Sequence, residues 1–321
     1  MNLFKIAWRK AKSLFRCGHD RWFAASQPSG PTAQRDAWSI AIYTGDSPFE
    51  LQPAPGVKTP ALTASDVTDV VADFVADPFI LKKDDQWYLF FEVLNRKSKL
   101  GQIGVATSAD GYQWQYQRIV LAEPFHLSYP YVFYWKSGFY MIPETHQVGA
   151  VRLYKSIRFP FEWLLFKNLL EDVTLVDPSP FCRDGKWWMF AGSGSSEKWH
   201  AQHLHLFHAV DLLGPWLEHP QSPVVRGNSQ IARPAGRVLV IGDQLFRLAQ
   251  DCESVYGKQV RAFEITTLTT ECYAERPARE LPILKPAAAG WNSTGMHHLD
   301  AQRLATGQWL ACVDGWTWVD P

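Results

Sequence analysis

The sequence predicts an all-β fold, a five-bladed β-propeller, and three observations predict it. The first is a motif that opens on X-Pro, runs through an apolar stretch to a polar or glycine-containing pair, and returns in an aromatic-rich stretch. It is plainest in DPFILKKDDQWYLFFE (77–92), YPYVFYWKSGFYMIPE (129–144) and DPSPFCRDGKWWMFAG (177–192). Each reads as a β-hairpin, because strand-forming residues flank a turn signal. The second is the spacing. Two looser copies, RPAGRVLVIGDQLFRLAQ (233–250) and HHLDAQRLATGQWLACVD (297–314), carry two extra residues before the turn, and the five copies start 52, 48, 56 and 64 residues apart. That interval is close to the length of a four-stranded propeller blade. The third is composition: 14% aromatic residues with 21 Gly and 21 Pro suits many short strands joined by tight turns.

The outer strands of the blades are visible as well. GQIGVATSADGYQW (101–114) and VRLYKSIRFPFEW (151–163) alternate and end in a turn and a Trp, which argues for four strands per blade. No convincing amphipathic helix follows residue 70, so a doubly wound sheet is excluded. The expected organisation is a basic amphipathic segment over 1–26, a Pro/Gly/Ser-rich linker over 27–37 and one propeller over 38–321.

Charge narrows the function. With 32 Lys+Arg against 32 Asp+Glu the chain has no global basic footprint, and nucleic acid is not an expected partner. Residues 1–16, MNLFKIAWRKAKSLFR, contain five cations and no acid, without the apolar core of a secretory signal, so the remaining body has 27 Lys+Arg against 32 Asp+Glu. On a helix Phe4, Trp8, Ala11 and Phe15 share one face and Lys5, Arg9, Lys12 and Arg16 the adjacent one. Such a helix packs on its own domain, lies in an anionic membrane surface, or serves as a transit peptide. The expected location is cytoplasmic, peripheral at the inner face of the membrane. The five cysteines are scattered, without the close pairs of a zinc site or disulfide scaffold, and read as reduced.

The common register predicts the site. In a blade the first strand lines the channel and the second runs back antiparallel, so the start of one and the end of the other share a face. First-strand starts supply Asp77, Tyr129, Asp177, Arg233 and the His297–His298 pair. Second-strand ends supply Glu92, Glu144, Gly192, Gln250 and Asp314. Any one of these can simply begin a strand or cap a turn, but polar groups ending apolar strands at one register in all five copies point to a pocket. His126, ahead of the second blade, and Asp251 and Tyr256 in AQDCESVYG, join the candidates. Trp135 and Trp187 read as core or as sugar-stacking platforms. His203, His205 and His208 alternate on a strand without a completing carboxylate, and no metal or other cofactor is expected.

Asp77 in ADPFILKKDDQWYLFF and Asp177 in VDPSPFCRDGKWWMFAGS resemble the first- and third-blade aspartates of five-bladed furanosidase-like hydrolases such as glycoside hydrolase family 43. That resemblance implies a general base at Asp77 and an orienting role for Asp177. A broader resemblance runs through VTDVVADFVADPF, FHLSYPYVF, YMIPE, RPAG and RLAQDCESVYGKQV, over roughly residues 38–315. It is to the propeller domain preceding the transferase domain of plant glucosamine inositolphosphorylceramide transferases. The hydrolases open the following blade with a glutamate as catalytic acid, whereas this chain has Arg233 in IARPAG. An arginine cannot protonate a departing alkoxide, but a phosphate leaves without a proton and is stabilised by cations. The expected activity is therefore sugar transfer from a phosphate-activated donor to a glycan or lipid-linked acceptor, with Glu144 or Glu92 as the acid should the chain be a hydrolase. A non-catalytic glycan-binding propeller is the third reading.

Overall fold

The structure, a computed structural model, describes residues 34–194 and 201–320. The basic segment 1–26 and most of the linker lie outside the described residues. The described chain is strands and turns, with helical structure confined to two 3-10 turns at Ala64–Asp66 and His146–Val148. Among the described residues no helix is long and apolar enough to cross a membrane.

Five antiparallel sheets form the blades. The chain opens with β1 (Arg35–Ser47) and β2 (Glu50–Pro53), and β1 starts within the expected linker because Arg35, Asp36 and Ala37 pair with Val319, Trp318 and Thr317. Blade one is β3 (Ala72–Lys83), β4 (Gln86–Asn95), β5 (Gly101–Ser108) and β6 (Gln115–Leu121), in that order from the channel outward. Blade two is β7 (Ser128–Trp135), β8 (Gly138–Glu144), β9 (Ala150–Arg158) and β10 (Glu162–Glu171). Blade three is β11 (Val176–Arg183), β12 (Lys186–Ser193), β13 (His203–Ala209) and β14 (Leu217–Glu218). In blade four the inner strand is broken into β15 (Arg233–Pro234) and β16 (Leu239–Ile241), followed by β17 (Gln244–Asp251), β18 (Gln259–Leu268) and β19 (Tyr273–Pro277). Blade five joins β20 (Leu299–Arg303) and β21 (Trp309–Val319) from the end of the chain to β1 and β2 from its beginning. Pairing first against last closes the ring without leaving an open edge at the seam.

Strand alternation makes each blade apolar on both faces, and five clusters fill the five gaps. On β1, Ile40 and Ile42 pack toward Ile80 and Trp87 of blade one, while Ala41 and Tyr43 pack toward Phe246 of blade four. The other gaps are filled around Phe79 and Tyr131, around Tyr140 and Met189, and around Phe190 and Leu245. Trp135 and Trp187 belong to the gap between blades two and three, with rings edge to face at 6.2 Å, so they serve the core. Cys182 and Cys272 are exposed, Cys252 and Cys312 buried, and all four are free thiols.

The channel is filled below the ring of blade openings. Arg237 of blade four pairs with Asp300 of blade five (Nε to Oδ1, 2.8 Å) and donates across to the Val132 carbonyl of blade two at 2.6 Å. Gln302 donates to the Ile80 carbonyl at 2.7 Å. The Tyr129 hydroxyl meets Ser179 Oγ at 2.8 Å and accepts from the Gly236 amide at 2.7 Å. These bonds cross the channel, so the polar ring is accessible from one end only.

Candidate active site

The three strongest copies of the repeat open in one backbone geometry. Asp77, Tyr129 and Asp177 each precede a proline and each adopt left-handed backbone, with φ of 53°, 47° and 50°. Proline disfavours the right-handed helical region in the residue before it, and left-handed backbone strains a non-glycine residue by about 1 kcal/mol or more. At each position the register with the second strand shifts, a β-bulge between Ala76 and Phe79, Ser128 and Tyr131, and Val176 and Ser179. A bulge re-aims the chain where the strand meets the pocket. It also frees the opening residue's amide from the ladder, and that amide turns to a neighbouring blade.

The result is a relay of carboxylates around the ring. Asp314 of blade five accepts the Asp77 amide at 2.9 Å, Asp77 accepts the Tyr129 amide at 3.2 Å, and Glu144 of blade two accepts the Asp177 amide at 3.2 Å. Asp177 then takes the Arg233 side chain of blade four, Nε at 2.6 Å and a terminal nitrogen at 3.3 Å, and Gln250 Nε2 at 3.0 Å. Arg233 also reaches Glu144 Oε2 at 3.5 Å and lies over the Tyr256 ring at 5.2 Å.

Two further pairs complete the ring. His297 donates Nδ1 to Asp314 Oδ1 at 2.8 Å and turns Nε2 toward Asp77 Oδ1 at 3.7 Å. His126 accepts the Gly101 amide on Nδ1 at 2.9 Å and sets Nε2 3.2 Å from Glu92 Oε1. His146, which the sequence reading missed, pairs with Glu144 Oε1 at 2.6 Å. The sequence reading also missed Trp38, which lies tilted against His297 at 4.2 Å and stacks on Trp316 at 5.4 Å, forming a wall with Tyr256. Neither carried a signal in the repeat: Trp38 sits on an outer strand and His146 in the 3-10 turn between β8 and β9 within blade two.

Burial sorts these groups. Asp177, Asp314 and His298 are fully enclosed, and Gln250 is 1% exposed, whereas Arg233, His126 and Asp77 retain 9%, 8% and 6%. The first set holds the ring from beneath and the second borders the opening, with half-buried Tyr256 beside it. The Tyr129 ring is sealed below, where it contributes its amide rather than a sugar contact. Asp251 points away from the pocket, because strand alternation sends it opposite to Gln250, into contact with Gln259 Nε2 at 2.8 Å and Arg261 at 3.1 Å.

Burial raises the Asp77 carboxyl well above its usual range, helped by the Asp177, Glu92 and Asp314 charges and opposed by His297. Asp177 and Glu144 share one guanidinium and divide the strain: burial and Glu144 push Asp177 up to about 8 against Arg233, while His146 and Arg233 overcome burial and hold Glu144 low. Asp314 and Asp77 raise His297 despite its burial, and Glu92 does the same for His126. Burial depresses His298 to about 3, so it is a neutral imidazole.

Among the described residues one set of three donors, Asp77, His297 and Asp314, has ligand atoms within 4.8 Å of one another. Asp314 holds the set together: its Oδ1 takes the amides of His297 and His298 and the His297 ring, and its Oδ2 takes the Asp77 amide.

A five-bladed propeller, blind at one end and ringed by buried carboxylates, histidines and an arginine at the other, defines the class. The catalytic domain of the Coprinopsis cinerea GH62 alpha-L-arabinofuranosidase shares the fold with a TM-score of 0.59 at 13% identity, over 91% of this chain and all of that domain. So does the Listeria innocua beta-1,2-mannobiose phosphorylase, with a TM-score of 0.59 at 13% identity, over 85% of this chain and 96% of that one. Within the class, the chain belongs to the family described as glucosamine inositolphosphorylceramide transferase 1, N-terminal, whose model matches residues 32–316. It is 38% identical over 297 residues to glucosamine inositolphosphorylceramide transferase 1 of Oryza sativa subsp. japonica, and 34% over 301 residues to that of Arabidopsis thaliana. Each alignment takes in 87% of this chain, which spans 40% and 39% of the length of those relatives.

Proposed function

We propose that this chain transfers a sugar from a phosphate-activated donor to a lipid-linked acceptor, with Asp77 as the base that takes the acceptor proton. The observation that carries the reading is the pairing of Asp77 with the His297–Asp314 dyad at the open end of the ring, His297 Nε2 lying 3.7 Å from Asp77 Oδ1. An acceptor hydroxyl beside Asp77 meets a carboxylate of raised basicity, and His297, held by Asp314, steadies the charge. A phosphate departs without a proton, so the chemistry asks the protein for a base rather than an acid.

Arg233 needs a correction here. The sequence reading assigns it to the donor phosphate, but its guanidinium is held by Asp177 and Glu144. The centre is therefore carboxylate-rich, which favours the positive charge that develops on the sugar ring in the transition state. Asp177 and Glu144 fix the ring and Arg233 sets their protonation. The family relation supports sugar transfer and the names of the plant relatives support a phosphorylated ceramide as acceptor. The basic segment 1–16 supports a peripheral position on an anionic cytoplasmic membrane face.

One observation favours a second reading, hydrolysis: burial raises the Asp177 carboxyl, the direction a catalytic acid for a departing alkoxide needs. The test is to incubate the purified chain with nucleotide-activated sugars and inositolphosphoryl lipids, and separately with aryl furanosides. Donor turnover that Asp77→Asn abolishes supports transfer. Furanoside cleavage with no donor turnover replaces it with hydrolysis, and saturable sugar binding without either reaction reduces the chain to a glycan-binding module.

A further inference from the structure

The central ring has no cation to spare for a phosphate, yet the same face of the propeller carries a cluster of cations at its rim. At the seam where blade five meets blade one, Asp73 on β3 faces three cations. Arg96 Nε lies at 2.6 Å, Lys99 Nζ at 2.7 Å and Arg35 at 3.9 Å. Asp73 is 17% exposed and the cations 49%, 64% and 46%, so one sheltered carboxylate is overmatched by accessible positive charge. Lys97, exposed on the same turn, adds another. The neighbouring carboxylates do not pair with these cations: Asp69, on the cavity wall, accepts the Tyr116 hydroxyl at 2.5 Å and the Ile119 amide at 2.7 Å, and Asp36 accepts the Trp38 indole at 3.0 Å.

The turn that presents these cations is fixed in place. Asn95 Oδ1 accepts the amides of Lys97 at 2.9 Å and Ser98 at 3.3 Å, the Arg96 amide bonds to the Val71 carbonyl at 2.8 Å, and Lys99 takes left-handed backbone with φ of 58°. Arg35 and Arg96 border a cavity of about 560 Å³ whose other walls include Asp69 and the valines Val67, Val70 and Val71, the last 63% exposed. A cationic edge on an apolar, open cleft matches an amphiphile carrying a phosphate diester. Asp73 and Asp77 lie on one strand, about 13 Å apart at ~3.3 Å per residue, so the cleft and the ring open side by side on one face.

We propose that this rim cleft is the phosphate subsite for the lipid acceptor, with Arg96, Lys99 and Arg35 holding the headgroup phosphate and the valine wall meeting the first part of the lipid. The assignment rests on the transfer reading only in naming the lipid as the acceptor; the binding itself needs no reaction. Asp73 has a defined part, gathering the cations at one point until a phosphate outcompetes it.

The test measures binding of the full chain, without donor, to phosphatidylcholine vesicles with and without phosphatidylinositol, and to soluble glycerophosphoinositol. Each cation near an anionic surface contributes about a fivefold gain in affinity, so Arg96→Gln with Lys99→Gln weakens binding to the phosphatidylinositol vesicles roughly 25-fold, and Asp73→Asn strengthens it about fivefold. The opposite directions separate a binding role from damage to the fold. Unchanged binding in both variants overturns the subsite. Equal affinity for glycerophosphoinositol and for the vesicles overturns the lipid as its source. If the variants bind as expected while no donor is turned over, the subsite stands and the transfer reading fails; if donor turns over and binding is indifferent to the variants, the subsite alone fails.

Discussion

Arg233→Met tests the account of the ring most directly. The side chain is 9% exposed and is the only cation within 3.5 Å of Asp177 among the described residues, with Glu144 Oε2 at 3.5 Å from it. Methionine preserves much of the volume and removes the charge, leaving two buried carboxylates against His146. Breaking a buried pair by deleting one partner costs about 3–5 kcal/mol, which for a domain of this size lowers the unfolding midpoint by roughly 6–15 °C. The loss depends on pH with a definite sign. In wild type His146 and Arg233 hold the Glu144 carboxyl below its ordinary value of 4.5, so Glu144 contributes stability that is present above the unfolded range and lost as pH falls through the folded value. Removing the guanidinium moves Glu144 up and takes away part of that contribution. Asp177 stands at about 8 with Arg233 in place, so its part of the difference changes only above that value, and the variant's deficit grows from acid to neutral pH through Glu144. Unfolding of wild type and variant in denaturant, at acid and neutral pH, measures it. A deficit below about 1 kcal/mol at neutral pH, or one that does not shrink in acid, refutes the shared-guanidinium account.

Asp77→Asn is expected to cost at least about 100-fold in donor turnover while leaving the unfolding midpoint at neutral pH equal to or above that of wild type. The reason is that burial raises Asp77, so its ionisation costs the native state stability as pH rises above about 4, and asparagine removes that cost. A variant that loses turnover and stability together would indicate a structural role. Asp314→Asn should lower the His297 pKa, because Asp314 is the larger of the two groups that raise it. Imidazole titration by NMR reads the shift. The accompanying stability, present below about pH 6.5 and lost as pH rises through the folded His297 value, should disappear from the denaturation profile. Gly101→Ala places a methyl against the Leu127 carbonyl, 2.7 Å from Glu92 Oε1 and 2.8 Å from His126 Cε1. It should destabilise by about 1–3 kcal/mol and weaken sugar binding by displacing the Glu92–His126 pair. Calorimetry with the sugar donor checks it, and full-strength binding would show that pair to be remote from the ligand.

The strands and their count were legible because a blade is a local object. Hairpin turns, alternation and the X-Pro openings repeat within about sixty residues, and their register aligned Asp77, Tyr129 and Asp177 with Glu92, Glu144 and Gly192. That these groups meet at one end of a channel was already implied by antiparallel pairing. Their division of labour was not. The repeat could not show that Arg233 spends its charge on Asp177 and Glu144, because that contact joins three blades through side chains. Nor could it separate Gln250, which enters the ring, from Asp251, which leaves it, until the strand's two faces were assigned. The pairing of β1 with β21, which brings Trp38 against His297 and Arg35 against Asp73, links residues nearly the whole chain apart. Sequence patterning by itself determined the blades and the candidates at their openings, since both follow from local backbone chemistry. Closure of the ring decided which candidates face solvent, which share a guanidinium and where the surplus cations gather, since burial and electrostatic partnership arise only when distant strands are brought into contact.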